Sequence, residues 1–331
     1  MIYPKFLKKN DTIGITAVSA GIEGEKLKQL DLSEENIRAQ GYKIIETKNV
    51  RAGGIVSSSG EERAAQLKDL FEDDTVQMVL CATGGDFLID MLPYVDYGAI
   101  KANPKWIQGY SDPTSLLYSV TTLLDIATIY GFNSGGYGMN KLHKSHEDSF
   151  AILCGDVVEQ GSFEFHEGKK DGKLDGYVLT EPVYWKNLNN EEVNVKGRLI
   201  GGCMECLADI IGTPYDGTER FLERYKDDGI IWYFDIFGLR AEQVYNTLWH
   251  MKHTGWFESA VGFMFGRVMF PGTFLDMTYE EAIVRALGDV PIVFNMDIGH
   301  VAPRMTVING AIGELWSKDG KGKFKMRLDC D

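Results

Sequence analysis

The stretch Lys105-Trp106-Ile107-Gln108-Gly109-Tyr110-Ser111-Asp112-Pro113 puts a serine where a strand-like run breaks into an apolar-periodic helix. A hydroxyl at such a turn stands above the carboxyl edge of a sheet, and the N–H groups after it point outward from a helix N-terminus. A nucleophile beside a ready oxyanion site is what acyl transfer requires. Gly109 permits close approach, and Pro113 suits a first helical turn, where no N–H partner is needed. The run is not G-x-S-x-G, because Pro113 occupies the place of the second glycine. Helix capping is the competing reading, since Ser111 and Asp112 are both favoured N-caps.

Thr83-Gly84-Gly85-Asp86 ends the preceding strand-like run. A glycine pair there lets backbone N–H groups face a ligand, although the same pair also serves an ordinary turn. With both turns at neighbouring strand ends, the Gly85 and Asp112 N–H groups converge as a two-donor oxyanion hole. A serine needs a base, and the chain has six histidines. His300 follows a strand-like run and is flanked by Gly299 and Pro303, on the kind of irregular loop that carries catalytic groups. His250 and His253 fall in a last helical turn and read as surface or dipole-compensating residues. His143 and His146 fall in a segment that reads as solvated, and His166 in a polar stretch. No carboxylate pattern turns the H-x-x-H spacings into a metal site, so no metal is expected. The base needs an orienting acid. Asp235, at the tip of an apolar strand, is costly to bury unless paired; Glu205 and Asp297 compete with it. Cys203 and Cys206 form one C-x-x-C, too few ligands for zinc, and read as packing thiols rather than a redox pair.

The elements that must hold these groups follow from the pattern. Strand-like runs at 12–18, 43–48, 76–82, 105–110 and 127–132 alternate with helical stretches at 24–41, 61–71 and 112–124. This spacing implies βαβ units and a parallel sheet. Residues 161–192 are polar and glycine-bearing and read as a linker or surface excursion. Tyr184 and Trp185 there suit either packing or the stacking of a base. A second α/β pattern starts at about residue 193, with strands at 197–202, 229–237, 260–266 and 291–295 and helices at 204–211, 239–252 and 279–287. The expected organisation is therefore 1–160, 161–192 and 193–331.

Composition narrows the function. The 331 residues are 44% hydrophobic and 25% charged, ordinary for a globular protein. A formal net charge of −14 argues against a nucleic-acid partner and against an anionic membrane surface. Five scattered cysteines fit reduced thiols in a cytoplasmic setting. The opening residues show no apolar stretch of signal-peptide length, and no run is long enough for a membrane span. No G-x-G-x-x-G follows the first strand, so a nucleotide cofactor is not expected.

The order and spacing of KKNDTIGITAVSA, CATGGD, GYSDPT, GRLIGGCMECLADIIGT, IIWYFDIF, FMFGR and NMDIGHVAPRM resemble the serine LD-carboxypeptidases and their relatives, the microcin C immunity peptidases, over nearly the whole chain. The resemblance implies an α/β fold: an N-terminal flavodoxin- or Rossmann-like parallel sheet with helices on both faces, and a C-terminal α/β domain of swivelling type. It places the nucleophile on Ser111, the histidine on His300 and the oxyanion donors on Gly85 and Asp112. The family acid is a glutamate, and its position holds Asp235, one methylene shorter; Glu205 is the substitute acid should Asp235 fall short. The implied activity is release of a terminal D-amino acid from murein tetrapeptides without a cofactor, by a cytoplasmic homodimer. The alternatives are cleavage of peptidyl or aminoacyl nucleotides, and murein-peptide binding without catalysis.

Overall fold

The computed structural model describes residues 1–168 and 174–328; residues 169–173 and the terminal three, Cys330 among them, lie outside the described residues. The first half builds five parallel strands: β1 (Thr12–Thr16), β2 (Lys43–Glu46), β3 (Val76–Cys81), β4 (Trp106–Gly109) and β5 (Thr128–Tyr130). Between them run α1 (Lys26–Ala39), α2 (Gly60–Glu72), α3 (Tyr97–Ala102) and α4 (Thr114–Leu124), and α5 (Lys144–Leu153) follows. Strands β1, β4 and β5 are buried at every position, as strands covered on both faces must be. A reciprocal capping box between Ser59 and Glu62 starts α2.

The second half holds β6 (Glu159–Gly161), the hairpin β7 (Phe165–Glu167) and β8 (Leu179–Pro182), β9 (Lys186–Asn187) and the long β10 (Val193–Cys203). Next come α6 (Met204–Ile210), α7 (Thr218–Tyr225), β11 (Ile230–Asp235), α8 (Ala241–His253), β12 (Ala260–Gly266), α9 (Tyr279–Leu287) and β13 (Ile292–Met296). The chain ends in β14 (Val307–Asn309), β15 (Ile312–Lys318) and β16 (Lys321–Arg327). An eight-stranded sheet takes the order β6-β16-β15-β10-β11-β12-β13-β9, parallel from β10 to β13 and antiparallel outside.

The chain does not keep its halves apart. Strand β14 crosses to the first sheet, whose order is β14-β5-β4-β3-β1-β2, and pairs antiparallel with β5. Helix α4 is shared packing. Its Tyr118 stacks on Trp256 at 5.1 Å and on Trp232 at 6.5 Å, from the second half. The stretch expected as a linker supplies strands to the second sheet, and Trp185 within it is fully buried while Tyr184 stays exposed. Its indole N–H donates to Asp297 at 2.8 Å, which satisfies the one polar atom the ring carries inward.

Candidate active site

The carboxyl ends of both parallel arrays converge on Ser111. Its φ of 67° puts a non-glycine residue in the left-handed region, the strained turn that lifts a hydroxyl off a strand end. Neither Ser111 nor Asp112 caps α4 through its side chain; Pro113 holds the cap position. The Asp112 carboxylate instead turns inward, accepting from the Ser19 hydroxyl and, at 2.9 Å, from the Leu88 N–H. Burial raises the Asp112 carboxyl above its ordinary range, against the pull of those two donors. Among the described residues no backbone acceptor takes up the N–H of Gly85 or of Asp112. Gly85 cannot be larger, since a methyl group there would come within 2.2 Å of Ser19 Oγ. Gly84 lies directly under Ser111, where a methyl group would sit 3.0 Å from its Oγ.

His300 Nε2 stands 3.0 Å from Ser111 Oγ. On the ring's other side Nδ1 lies 2.7 Å from Asp235 Oδ2, with its N–H directed off the line to the oxygen, so the hydrogen bond is poorly formed. The shorter acid gains a second hold: the His300 backbone N–H donates to Asp235 Oδ1 at 3.2 Å. The Tyr130 hydroxyl also donates to Oδ2, and burial beside Asp235 keeps that phenol well above its usual pKa, hence a donor. Gly299 makes this approach possible. Its φ is 93°, and a methyl group there would overlap the Asp235 carboxylate at 1.9 Å. The imidazole is flanked by Tyr110 at 5.2 Å and Phe237 at 4.7 Å between ring centroids.

The competing acids lie elsewhere. Glu205 Oε1 accepts from the N–H groups of Phe237, Gly238 and Leu239 at 2.8–3.1 Å, and Oε2 accepts from the Cys203 thiol. Through these contacts it holds the loop after β11, and among the described residues no hydrogen bond or ion pair joins it to His300. Asp297 is fully buried against Arg267 and Trp185. Both thiols of the C-x-x-C are buried, and Cys206 donates weakly to the Ser111 carbonyl at 3.6 Å. The contact between the two thiols, and then burial, raises Cys203; at Cys206 the same contact pulls down, but burial and nearby acids outweigh it and raise the thiol, as suits packing groups rather than nucleophiles.

The segment around His143 and His146, expected to be solvated, is instead partly buried. His146 is enclosed, stacked on Phe132 at 4.3 Å, and burial lowers it to about 4. Sequence reasoning did not single out Tyr130 or Ser19, which contact Asp235 and Asp112. They sit in an ordinary-looking strand and loop, and those contacts are distant in the chain. A cavity of about 990 Å³ opens beside Asp235 and His300, bounded by Ile236 and Val301, the residues that follow them, and by Phe270 and Tyr279. It extends over the strand ends of the second sheet, and Ser111, Asp235 and His300 lie outside its lining. Among the described residues no cluster of three or more metal-ligating side chains occurs, and no helix is long and apolar enough to cross a membrane.

Residues 13–131 match the model of the LD-carboxypeptidase N-terminal domain, and residues 196–315 match that of its C-terminal domain. The chain belongs to the LD-carboxypeptidase family. Membership sets the broad activity as that of a peptidase. A Vibrio cholerae protein with a provisional carboxypeptidase name is 26% identical to this LD-carboxypeptidase family member over 328 residues, 95% of either chain. Two solved structures share the fold. The microcin C7 self-immunity protein MccF, in complex with aspartyl sulfamoyl adenosine, superposes with a TM-score of 0.83 at 22% identity, covering all of both chains. The muramoyltetrapeptide carboxypeptidase of Oxalobacter formigenes does so at 0.75 and 17%, covering 95% of this chain and 98% of its own.

Proposed function

We propose that this LD-carboxypeptidase family member is a serine peptidase that releases a terminal D-amino acid from murein tetrapeptides. The observation that carries the reading is the relay from Ser111 Oγ through His300 to Asp235, at 3.0 and 2.7 Å, beside two uncommitted backbone donors. Ser111 attacks the scissile carbonyl as His300 Nε2 takes its proton. The carbonyl oxygen becomes an oxyanion between the Gly85 and Asp112 N–H groups, where fixed dipoles need no reorganisation. The imidazolium then protonates the leaving amine, and water repeats the sequence on the acyl-serine. Asp235 orients the ring through its contacts to Nδ1 and to the His300 backbone N–H, and no cofactor takes part.

Cytoplasmic residence agrees with four free cysteines among the described residues. Cleavage of nucleotide conjugates is the second reading, favoured by the ligand of MccF. Of the two aromatics suited to stacking a base, however, Trp185 is buried and committed to Asp297, which leaves Tyr184 alone. The deciding experiment measures free D-alanine from L-Ala-γ-D-Glu-L-Lys-D-Ala and its diaminopimelate counterpart, with Ser111→Ala as control. Release that disappears in the variant supports the reading. A folded protein that releases none from either peptide refutes it and turns attention to aminoacyl nucleotides.

A further inference from the structure

The other buried cations of this fold are held either by a carboxylate or by two backbone carbonyls: Arg63 donates to those of Val18 and Phe87, and Lys105 to those of Leu70 and Asp73. Arg198 meets Asp228 at 2.6 Å and Arg267 meets Asp297 at 2.5 Å, as the cost of removing a charge from water demands. Arg304 differs. It is 92% buried, being 8% exposed, yet no ion pair joins it to a carboxylate among the described residues. Its Nη2 donates to the His300 carbonyl at 3.3 Å, and its Nε has no partner. The guanidinium lies over the Tyr110 ring at 4.3 Å and over Phe132 at 5.5 Å, contacts that hold its plane, and its polar neighbours there are the phenols of Tyr110 and Tyr177 rather than a carboxylate. The acid whose field reaches it is Asp235, already engaged by His300 and Tyr130.

The position of this cation is defined by the chemistry beside it. His300 must hand its proton to the leaving nitrogen, so the leaving residue lies against His300 and Tyr110. In a carboxypeptidase substrate the terminal carboxylate is separated from that nitrogen by one carbon. Arg304 touches both flanking residues. We infer that Arg304 is the specificity-determining residue for the substrate's free terminal carboxylate, so that an unpaired guanidinium beside the base is completed by the substrate. The inference rests on the carboxypeptidase reading above and extends it to one side chain.

The test separates the two claims. In a Ser111→Ala background, which binds without turnover, titration calorimetry compares the tetrapeptide with its C-terminal carboxamide. The acid is expected to bind roughly 10- to 100-fold more tightly, the range of a charge-assisted contact. Adding Arg304→Gln brings the ratio near one, whereas Arg304→Lys, which keeps the charge and loses the fork, leaves an intermediate ratio. Thermal melts of each variant control for folding, and the acid-to-amide ratio is a quantity that a merely structural role would not move. Equal binding of the two peptides, binding of neither, or a preference that survives Arg304→Gln overturns the inference. D-alanine release, measured on protein with Ser111 intact, reports on the activity separately. No release with the preference intact removes the activity and leaves Arg304 as the carboxylate site. Release with no preference does the reverse.

Discussion

The two sides of the site are built by opposite means. Ser111 is positioned locally: a strand, a strained turn and a helix within a few residues set its hydroxyl and the N–H groups beside it. His300 is positioned at long range. Its loop is pinned by an acid 65 residues earlier, by a glycine that admits that acid, and by a tyrosine from the other sheet. A local device tolerates change elsewhere, whereas a long-range one fails wherever any contributor fails.

The largest expected effect is Ser111→Ala, which should lower D-alanine release by at least about 10⁴-fold, read by coupled assay at saturating peptide. Asp235→Asn should follow at roughly 10³- to 10⁴-fold, because an amide no longer enforces the imidazole tautomer. If release survived that change, the short acid would be ornamental and the long-range side would reduce to His300 alone. Gly299→Ala touches neither reacting group, yet its methyl overlaps Asp235 and its backbone is left-handed. We expect destabilisation of about 2–4 kcal/mol in urea titrations and release reduced in step. A fully active Gly299→Ala enzyme would break the comparison outright.

Glu205→Ala sharpens the contrast at smaller scale. Three N–H groups of the 237–239 loop lose their acceptor, partly compensated by water because two of them are exposed. The cost should be about 1 kcal/mol, with a few-fold fall in kcat as Phe237 loosens against His300. His146→Phe should act on stability and not on rate. With its pKa at about 4 in the fold and near 6.5 unfolded, the unfolded chain binds the extra proton between those values. Stability is therefore lost as pH falls from about 6.5 to about 4, by up to roughly 3 kcal/mol. Removing the imidazole should flatten that slope in denaturant midpoints taken at pH 7 and pH 4.5.

Legibility followed the same division. The strands and helices of both parallel arrays are apparent from apolar runs and turn residues, and the elements at 260–266 and 279–287 coincide with β12 and α9. The Ser111 turn is equally apparent, being local. Tyr130 reads as one more strand aromatic, because nothing near it in sequence announces a carboxylate from β11. The alternation of burial along β15 and β16 is present in the residues, but which strand they flank depends on β10, more than a hundred residues away. His146 misleads for the same reason: Lys144 and Glu147 around it suggest solvent, while Phe132 and Tyr177 from elsewhere enclose it.

Strand β14 carries a consequence for dissection of the molecule. Because it closes the β5 side of the first sheet, a fragment ending near residue 160 would present Thr128–Tyr130 as a bare, apolar ladder of unpaired amides and carbonyls. Such a ladder recruits whatever strand is at hand, most readily that of another fragment. The half that carries Ser111 should therefore self-associate when expressed alone, and a synthetic peptide spanning residues 305–311 should compete with that association.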